Sequence, residues 1–191
     1  MSENVMTVRT ERTPNPNSLK YNLGVTLLPG SSANFPSAES ADRSPLAKRI
    51  FKVSGVVGVF IGPDFITVTK EAETSWNDVN IGVAPALEAF FETGEQVLQG
   101  AKPADYKEIG ADTADPGLVE QIKSILDERV RPAVAQDGGD IIYRGYEDGV
   151  VYLEMIGACS GCPSSSATLK GGVERLLQES LPEDVKEVRQ V

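Results

Sequence analysis

Two cysteines separated by two residues are the side chains of this sequence best suited to chemistry. Cys159 and Cys162 lie within the stretch Gly157 to Pro163, and the chain has no other cysteine. A separation of two residues lets both sulfurs point at one centre, as soft thiolate ligation of zinc or iron requires. We therefore predict that Cys159 and Cys162 are metal ligands.

The number of ligands in one chain is small. The sequence contains two cysteines and no histidine, so histidine catalysis, histidine ligation and any Cys-His or Ser-His pair are excluded. Tetrahedral zinc and the common iron-sulfur clusters take four protein ligands. Because two chains supply four sulfurs, we expect a symmetric homodimer whose two cysteine loops share the metal.

Other functions of such a cysteine pair stay open at this point. The pair could bridge a dimer through a structural zinc ion, or it could be the activated dithiol of an oxidoreductase. Gly157 and Ala158 precede the first cysteine where thioredoxin-like proteins have an aromatic residue, which is a weak argument against the dithiol. A buried structural pair is less expected in a glycine-rich loop.

The elements around the cysteines predict a small α+β domain. Hydrophobic periodicity predicts in order a helix, two strands, a helix and a strand, at 118–130, 141–144, 150–156, 169–177 and 185–191. Asp115 and Pro116 suit the cap and first turn of the first helix. This order predicts a three-stranded sheet covered on one side by two helices. The cysteine loop then connects the second strand to the second helix.

The first half of the chain predicts a second small domain of similar type. The pattern indicates strand, loop and strand within 7–28, a loop at 29–45, a short helix from 46, a hairpin of 56–61 with 65–69, and a helix at 80–98. Between residues 99 and 114 the apolar pattern lapses, which indicates a linker. We therefore predict an α+β protein with domains at 1–98 and 115–191 and a linker at 99–114.

Two polar segments have both a structural and a functional interpretation. Asp137-Gly138-Gly139-Asp140 is more typical of a tight turn that needs positive φ than of a ligand set, because carboxylates are harder ligands than iron-sulfur clusters prefer. The proline-rich segment 13–19 is predicted to be a loop, and a role in recognising a partner is the second interpretation.

Charge and hydropathy exclude two classes of partner and indicate a location. The chain has 18 basic and 28 acidic residues, a net charge of -10, which gives no electrostatic basis for binding nucleic acid. No apolar stretch approaches the roughly 20 residues of a membrane helix. Residues 1–6 resemble neither a secretory signal nor a transit peptide, so we expect the protein to stay where it is made, most simply in a bacterial cytoplasm.

Two stretches of the sequence resemble one known family. Arg131 to Asp140, followed by Gly157 to Ser165 and Thr168 to Lys170, closely resembles the C-terminal domain of NifU and of the Nfu proteins. Upstream, Arg12 to Lys20 resembles the N-terminal domain of Nfu proteins, including the mitochondrial type. The first resemblance covers residues 115–191, and the second extends it to nearly the whole chain.

The resemblance implies an iron-sulfur cluster scaffold or carrier and no enzyme. It implies that Cys159 and Cys162 of two subunits hold a 4Fe-4S cluster, which comes from an upstream assembly machinery and passes to recipient apo-proteins. The spacing of the cysteines does not distinguish 4Fe-4S from 2Fe-2S. The zinc-bridged dimer and the dithiol oxidoreductase stay as alternatives.

Overall fold

Residues 8–99, 114–160 and 163–191 are described by this computed structural model. The chain divides into two units, Met1–Ala104 and Asp105–Val191, and each is described by itself. The linker predicted at 99–114 lies outside the described residues except for its two end residues. Within the described residues, no helix is both long and apolar enough to cross a membrane.

The first unit is built on a five-stranded antiparallel sheet in the order β1-β2-β5-β4-β3. Its strands are β1 (Arg9–Arg12), β2 (Ser18–Asn22), β3 (Ala33–Phe35), β4 (Val56–Ile61) and β5 (Phe65–Lys70). The predicted hairpin is confirmed, since β4 and β5 pair with Ile61 opposite Ile66. The inner strands β2 and β5 are buried along most of their length.

Two helices pack on this sheet. They are α1 (Pro45–Phe51) and α2 (Trp76–Thr93), with a 3-10 helix at Ala38–Arg43 before them. The Ser75 side chain caps α2 by accepting a hydrogen bond from the Asn77 N–H, and the helix ends at Gly94 with a left-handed φ of 66°. Val83, Leu87 and Phe90 of α2 are buried in the core.

Two predictions for this unit are wrong in part. The loop predicted at 29–45 contains β3 and the 3-10 helix, because β3 exists by pairing with β4, a partner remote in sequence. The helix predicted at 80–98 runs instead over Trp76–Thr93. Val97 and Leu98 continue the apolar pattern beyond the helix because they pack against the same core as partly buried side chains.

The second unit has the predicted order of strands and helices, with one further helix before its first strand. Its helices are α3 (Pro116–Ile125), α4 (Arg131–Gln136) and α5 (Pro163–Ser180), with a π-helical turn at Leu126–Val130, and its strands are β6 (Gly139–Glu147), β7 (Val150–Gly157) and β8 (Glu187–Gln190). The sheet order is β6-β7-β8, with β6 antiparallel and β8 parallel to β7. The predicted α+β class is confirmed.

The helical path before β6 is longer than the sequence predicted. The Asp115 carboxylate caps α3 as predicted, accepting the Gly117 N–H at 2.8 Å. Beyond the π-helical turn the chain continues into α4, which contains Pro132, although the predicted helix ended at residue 130. A proline is tolerated there because the first turn of a helix needs no intrahelical N–H donor.

The middle strand β7 carries the cysteine loop at its end. Val151, Leu153 and Met155 of β7 are buried in a core with Val173 and Leu177 of α5. This burial fixes β7, so the residues that follow it start from a rigid support.

Candidate metal site

Cys159 lies in a tight turn just beyond the end of β7. Gly157 has a φ of 71°, a left-handed conformation that favours glycine, and the chain changes direction there. The backbone N–H and the hydroxyl of Ser160 both donate to the Gly157 carbonyl, at 3.1 and 2.8 Å. The turn that holds Cys159 is therefore closed by its own hydrogen bonds.

The second predicted ligand, Cys162, lies outside the described residues. The structure thus places one of the two cysteines, and α5 begins at Pro163. Within the described ranges, no three or more cysteine, aspartate and glutamate side chains are grouped so that they could hold a metal ion.

The space beside the Cys159 sulfur exists because residue 139 is a glycine. Gly139 pairs with Gly157 in the β6–β7 register, and the Ala158 N–H donates to the Gly138 carbonyl at 3.1 Å. A Cβ on Gly139 would lie 2.7 Å from the Cys159 Sγ and 2.6 Å from the Ile156 carbonyl oxygen. A side chain at position 139 would therefore fill the space next to the thiol.

The Cys159 side chain is largely enclosed by the protein. The residue is 6% exposed and belongs to the apolar core of the second unit, together with Val134, Met155 and Val173. The described structure therefore presents a thiol at the edge of the core. Burial of this kind is common for cysteine, which packs like a small hydrophobic residue.

Asp140 is bound to an arginine and serves as scaffold. Arg131 donates from Nε to Oδ1 of Asp140 at 2.7 Å and from Nη2 to Oδ2 at 2.6 Å, and it also contacts Asp127 at 3.0 Å. The hydrogen bonds to Asp140 raise the pKa of the Arg131 guanidinium above its ordinary value. The positive φ predicted in this segment is confirmed at Gly138, at 81°.

Sequence reasoning did not find the roles of Gly139 and Arg131. The segment 137–140 was noticed, but its contact with Cys159 depends on the register of β6 against β7. Arg131 also lies beyond the point where the first helix was expected to end. The sequence did contain one signal for this ion pair: Arg131 and Asp140 are only nine residues apart, and Asp140 directly follows the pair Gly138-Gly139.

Both halves of the chain match models of known families. Residues 8–94 match the family described as "Scaffold protein Nfu/NifU N terminal", and residues 122–189 match the "NifU-like domain". The human protein "NFU1 iron-sulfur cluster scaffold homolog, mitochondrial" is 45% identical over 187 residues, which cover 97% of this chain and 72% of the human protein. The chain belongs to the Nfu family. The resemblance seen in the sequence is confirmed.

Insect relatives of this Nfu chain carry the same name. The protein from Drosophila erecta is 47% identical over 97% of this chain, and that from Drosophila virilis is 46% identical over 100% of it. The matched region is 65% of the Drosophila erecta protein and 63% of the Drosophila virilis protein. The Nfu chain therefore spans a little under two thirds of the length of these relatives.

The predicted cytoplasmic location is wrong. The human and both Drosophila relatives of the Nfu chain are mitochondrial proteins by name. The prediction depended on the composition of residues 1–6, and the charge and hydropathy of so short a segment do not report where a protein acts.

Proposed function

We propose that this Nfu chain is an iron-sulfur cluster scaffold or carrier. Two copies hold one 4Fe-4S cluster through their Cys159 and Cys162 thiolates and deliver it to apo-proteins. The observation that carries the proposal is the position of Cys159 in a chain that matches named iron-sulfur cluster scaffold proteins along 97% of its length. Cys159 lies in a closed turn at the end of a buried strand, beside the space that Gly139 leaves.

The number of sulfur ligands supports a cluster shared by two chains. Each chain supplies two cysteines and no histidine, whereas common clusters take four cysteine thiolates. A two-fold axis through the cluster brings the two loops together, so cluster binding and dimer formation are coupled. The 4Fe-4S type follows the resemblance to NifU and Nfu proteins.

The cluster is cargo, and this chain holds it reversibly. In the described structure the Cys159 side chain packs in the apolar core, so its sulfur must turn outward to bind a cluster that lies between two chains. Return of the side chain to the core favours release of the cluster. Delivery then needs an exchange of thiolate ligands with the recipient and no net oxidation or reduction, which is why we propose a carrier and no enzyme.

The surroundings of Cys159 position the turn. The ion pair of Arg131 with Asp140 fixes the start of β6, and the hydrogen bond of the Ala158 N–H to Gly138 ties the cysteine turn to that strand. These contacts hold the backbone near the sulfur in one arrangement, so that the sulfur alone has to move.

The test is anaerobic reconstitution with iron and sulfide, followed by metal analysis, Mössbauer spectroscopy and the mass in solution. We expect one 4Fe-4S cluster per two chains, lost in Cys159→Ser and in Cys162→Ser. Ser160→Ala is the matched control, because it alters the same turn without removing a sulfur. A monomer with a complete cluster, or a cluster retained without both cysteines, would contradict the proposal.

Two further outcomes distinguish the alternative functions. Purification of a dimer with zinc on the same cysteines, and no uptake of iron and sulfide, would support a zinc-bridged dimer. Rapid disulfide reduction by the cluster-free monomer would support a dithiol oxidoreductase. Delivery is measured by mixing the loaded dimer with an apo-enzyme that needs a 4Fe-4S cluster, and we expect its activity to recover.

A further inference from the structure

A groove of about 550 Å³ lies on the first unit beside the proline-rich segment 13–19. Its lining includes Thr10 and Arg12 of β1, Leu19 of β2, and Trp76 and Asn80 of α2. All of these residues belong to the first unit, whereas both cysteines belong to the second. The groove is therefore a site other than the cysteine loop.

The walls of the groove are held in place by hydrogen bonds. The Trp76 indole N–H donates to the Pro16 carbonyl at 3.0 Å. The Lys70 ammonium donates to Asn17 Oδ1 at 3.2 Å and lies 5.6 Å from the centre of the Trp76 ring. A ligand would meet a preformed surface, so little binding free energy is lost in ordering this segment.

The strand next to the groove is at an edge of the sheet. Over the described part of the chain, β1 is hydrogen-bonded to β2 on one side and to no strand on the other, and all four of its residues are exposed. An edge strand offers backbone N–H and C=O groups to a second extended chain. A peptide paired with β1 would pass Thr10 and Arg12, which line the groove.

The same edge is basic in an acidic protein. The chain has a net charge of -10, yet β1 carries Arg9 and Arg12, and neither has a carboxylate within 4.0 Å among the described residues. Glu11 between them faces Lys20, at 4.0 Å. Two arginines that form no ion pair with any described carboxylate attract a carboxylate-bearing partner.

We propose that β1 and the groove dock an extended, acidic peptide segment of a partner protein. The peptide backbone pairs with β1, its carboxylates meet Arg9 and Arg12, and an apolar side chain enters the groove against Trp76 and Leu19. A second copy of this chain is a poorer occupant. Antiparallel pairing of two β1 strands over their full length would put Arg9 opposite Arg12, and like charges in cross-strand pairs are destabilising.

The first experiment titrates the full chain with two synthetic peptides. One is a blocked seven-residue peptide of glutamate, valine and leucine, and the other has lysine in place of each glutamate. We expect the acidic peptide to shift the amide signals of Arg9–Arg12 and the indole signal of Trp76 in nitrogen-proton correlation spectra. Absence of these shifts at millimolar peptide, or equal shifts with the lysine peptide, would overturn the proposal.

Charge reversal tests the contribution of the arginines. Because rim ion pairs are weak, we expect Arg9→Glu and Arg12→Glu each to weaken binding of the acidic peptide about fivefold and to improve binding of the lysine peptide. Arg175→Glu is the matched control, since Arg175 is also exposed and the net charge changes equally. An equal loss of affinity in the control would show that the net charge of the protein causes the effect, and it would contradict docking at β1.

Methylation of the peptide backbone tests strand pairing. Two acidic peptides are compared, one methylated on the odd-numbered backbone nitrogens and the other on the even-numbered ones. Because only alternate N–H groups of a paired peptide face β1, one set of methyl groups should abolish binding and the other should not. If neither peptide binds more weakly, pairing with β1 is wrong. Sedimentation at rising protein concentration tests whether a second copy of this chain occupies β1. Self-association that Arg12→Glu alters would show that the partner at β1 is this chain and would contradict docking of a partner protein's peptide. None of these measurements needs iron, so their outcome is independent of the cluster proposal.

Discussion

A Cβ placed on Gly139 would lie 2.7 Å from the sulfur of Cys159. Real Cβ atoms do not approach other atoms so closely, and the carbonyl oxygen of Ile156, 2.6 Å from the same point, cannot move without disturbing β7. The glycine and the cysteine are thus one packing unit, brought together by the pairing of β6 with β7.

Gly139→Ala should damage both the fold and cluster binding. The added methyl group must displace either the Cys159 side chain or the β7 backbone, and overpacking of this kind costs about 1–3 kcal/mol. We expect the free energy of unfolding in urea to fall by that amount. Reconstitution should yield less cluster per dimer at a temperature where the variant is still folded.

Gly171→Ala is the control for this substitution. Among the described residues, a Cβ on Gly171 in α5 would have no atom within 4 Å apart from its neighbours and its own helix backbone. Alanine is favoured over glycine in a helix by roughly 0.5–1 kcal/mol. This variant should be as stable as the parent or slightly more stable. If Gly139→Ala has the same free energy of unfolding as Gly171→Ala, the close approach of residue 139 to Cys159 does not affect stability.

Arg131→Gln should destabilise the second unit through Asp140. The substitution removes the two hydrogen bonds that Arg131 donates to the buried Asp140 carboxylate, which keeps the one from the Ile141 N–H. Loss of the charged partner of a buried group costs about 1–3 kcal/mol. We expect a lower midpoint in urea. Cluster content should also fall, because the start of β6 then no longer holds Gly139 in place.

Arg189→Gln tests whether any arginine pair would behave in this way. Arg189 bonds to Glu187 on an exposed part of β8, and exposed ion pairs contribute about 0–1 kcal/mol. A small effect here beside a large effect at Arg131 is the expected result. Equal losses in the two variants would show that burial of Asp140 does not matter.

The Cys159 thiol should react slowly with alkylating agents in the cluster-free protein. At 6% exposure, its sulfur meets a reagent such as iodoacetamide only when the side chain turns out of the core. We expect alkylation to be at least about tenfold slower than in the urea-denatured chain, where the thiol is accessible. Mass spectrometry with peptide fragmentation locates the label, and equal rates in the two states would show that the side chain leaves the core freely.

Stability should decline in alkaline solution because of Tyr21. Burial raises the pKa of Tyr21 above its ordinary value of about 10, and its hydroxyl donates to Asn80 Oδ1 at 2.5 Å. The folded state therefore favours the neutral phenol. Its contribution is complete below pH of about 10 and is lost as the pH rises further, when the unfolded chain releases the proton more readily.

Tyr21→Phe removes this hydrogen bond, so its free energy of unfolding at neutral pH should be about 0.5–1.5 kcal/mol lower than that of the parent protein. Its free energy of unfolding should then fall less steeply than that of the parent protein above pH of about 10. Tyr152→Phe, on the half-buried face of β7, is the control. Parallel stability curves for the parent and Tyr21→Phe would remove Tyr21 as the cause.

Sequence periodicity predicted the helices and strands that are long enough to show a hydrophobic period of their own. The spacing of Val83, Leu87 and Phe90 identified α2, and the alternation of Val151, Leu153 and Met155 identified β7. The short strand β3 had no such signal, because three residues are too few for a period and pairing with β4 decides their conformation.

The site was predicted from the spacing of its cysteines, but its surroundings were not. The approach of Gly139 to Cys159 depends on strand register. The pairing of Arg131 with Asp140 depends on a helical path that continues through Pro132. Both contacts join residues from different elements, so local composition does not determine them. The ligand roles of Cys159 and Cys162 remain predictions.

The parallel pairing of β8 with β7 affects when this unit can be completed during synthesis. The ribosome makes β6, β7 and the cysteine turn first, then α5, and β8 last of these elements. Until β8 has emerged, β7 lacks one of its two neighbours and the core beneath the cysteine turn lacks Val188. The core that encloses Cys159 is therefore complete only after β8 has been made.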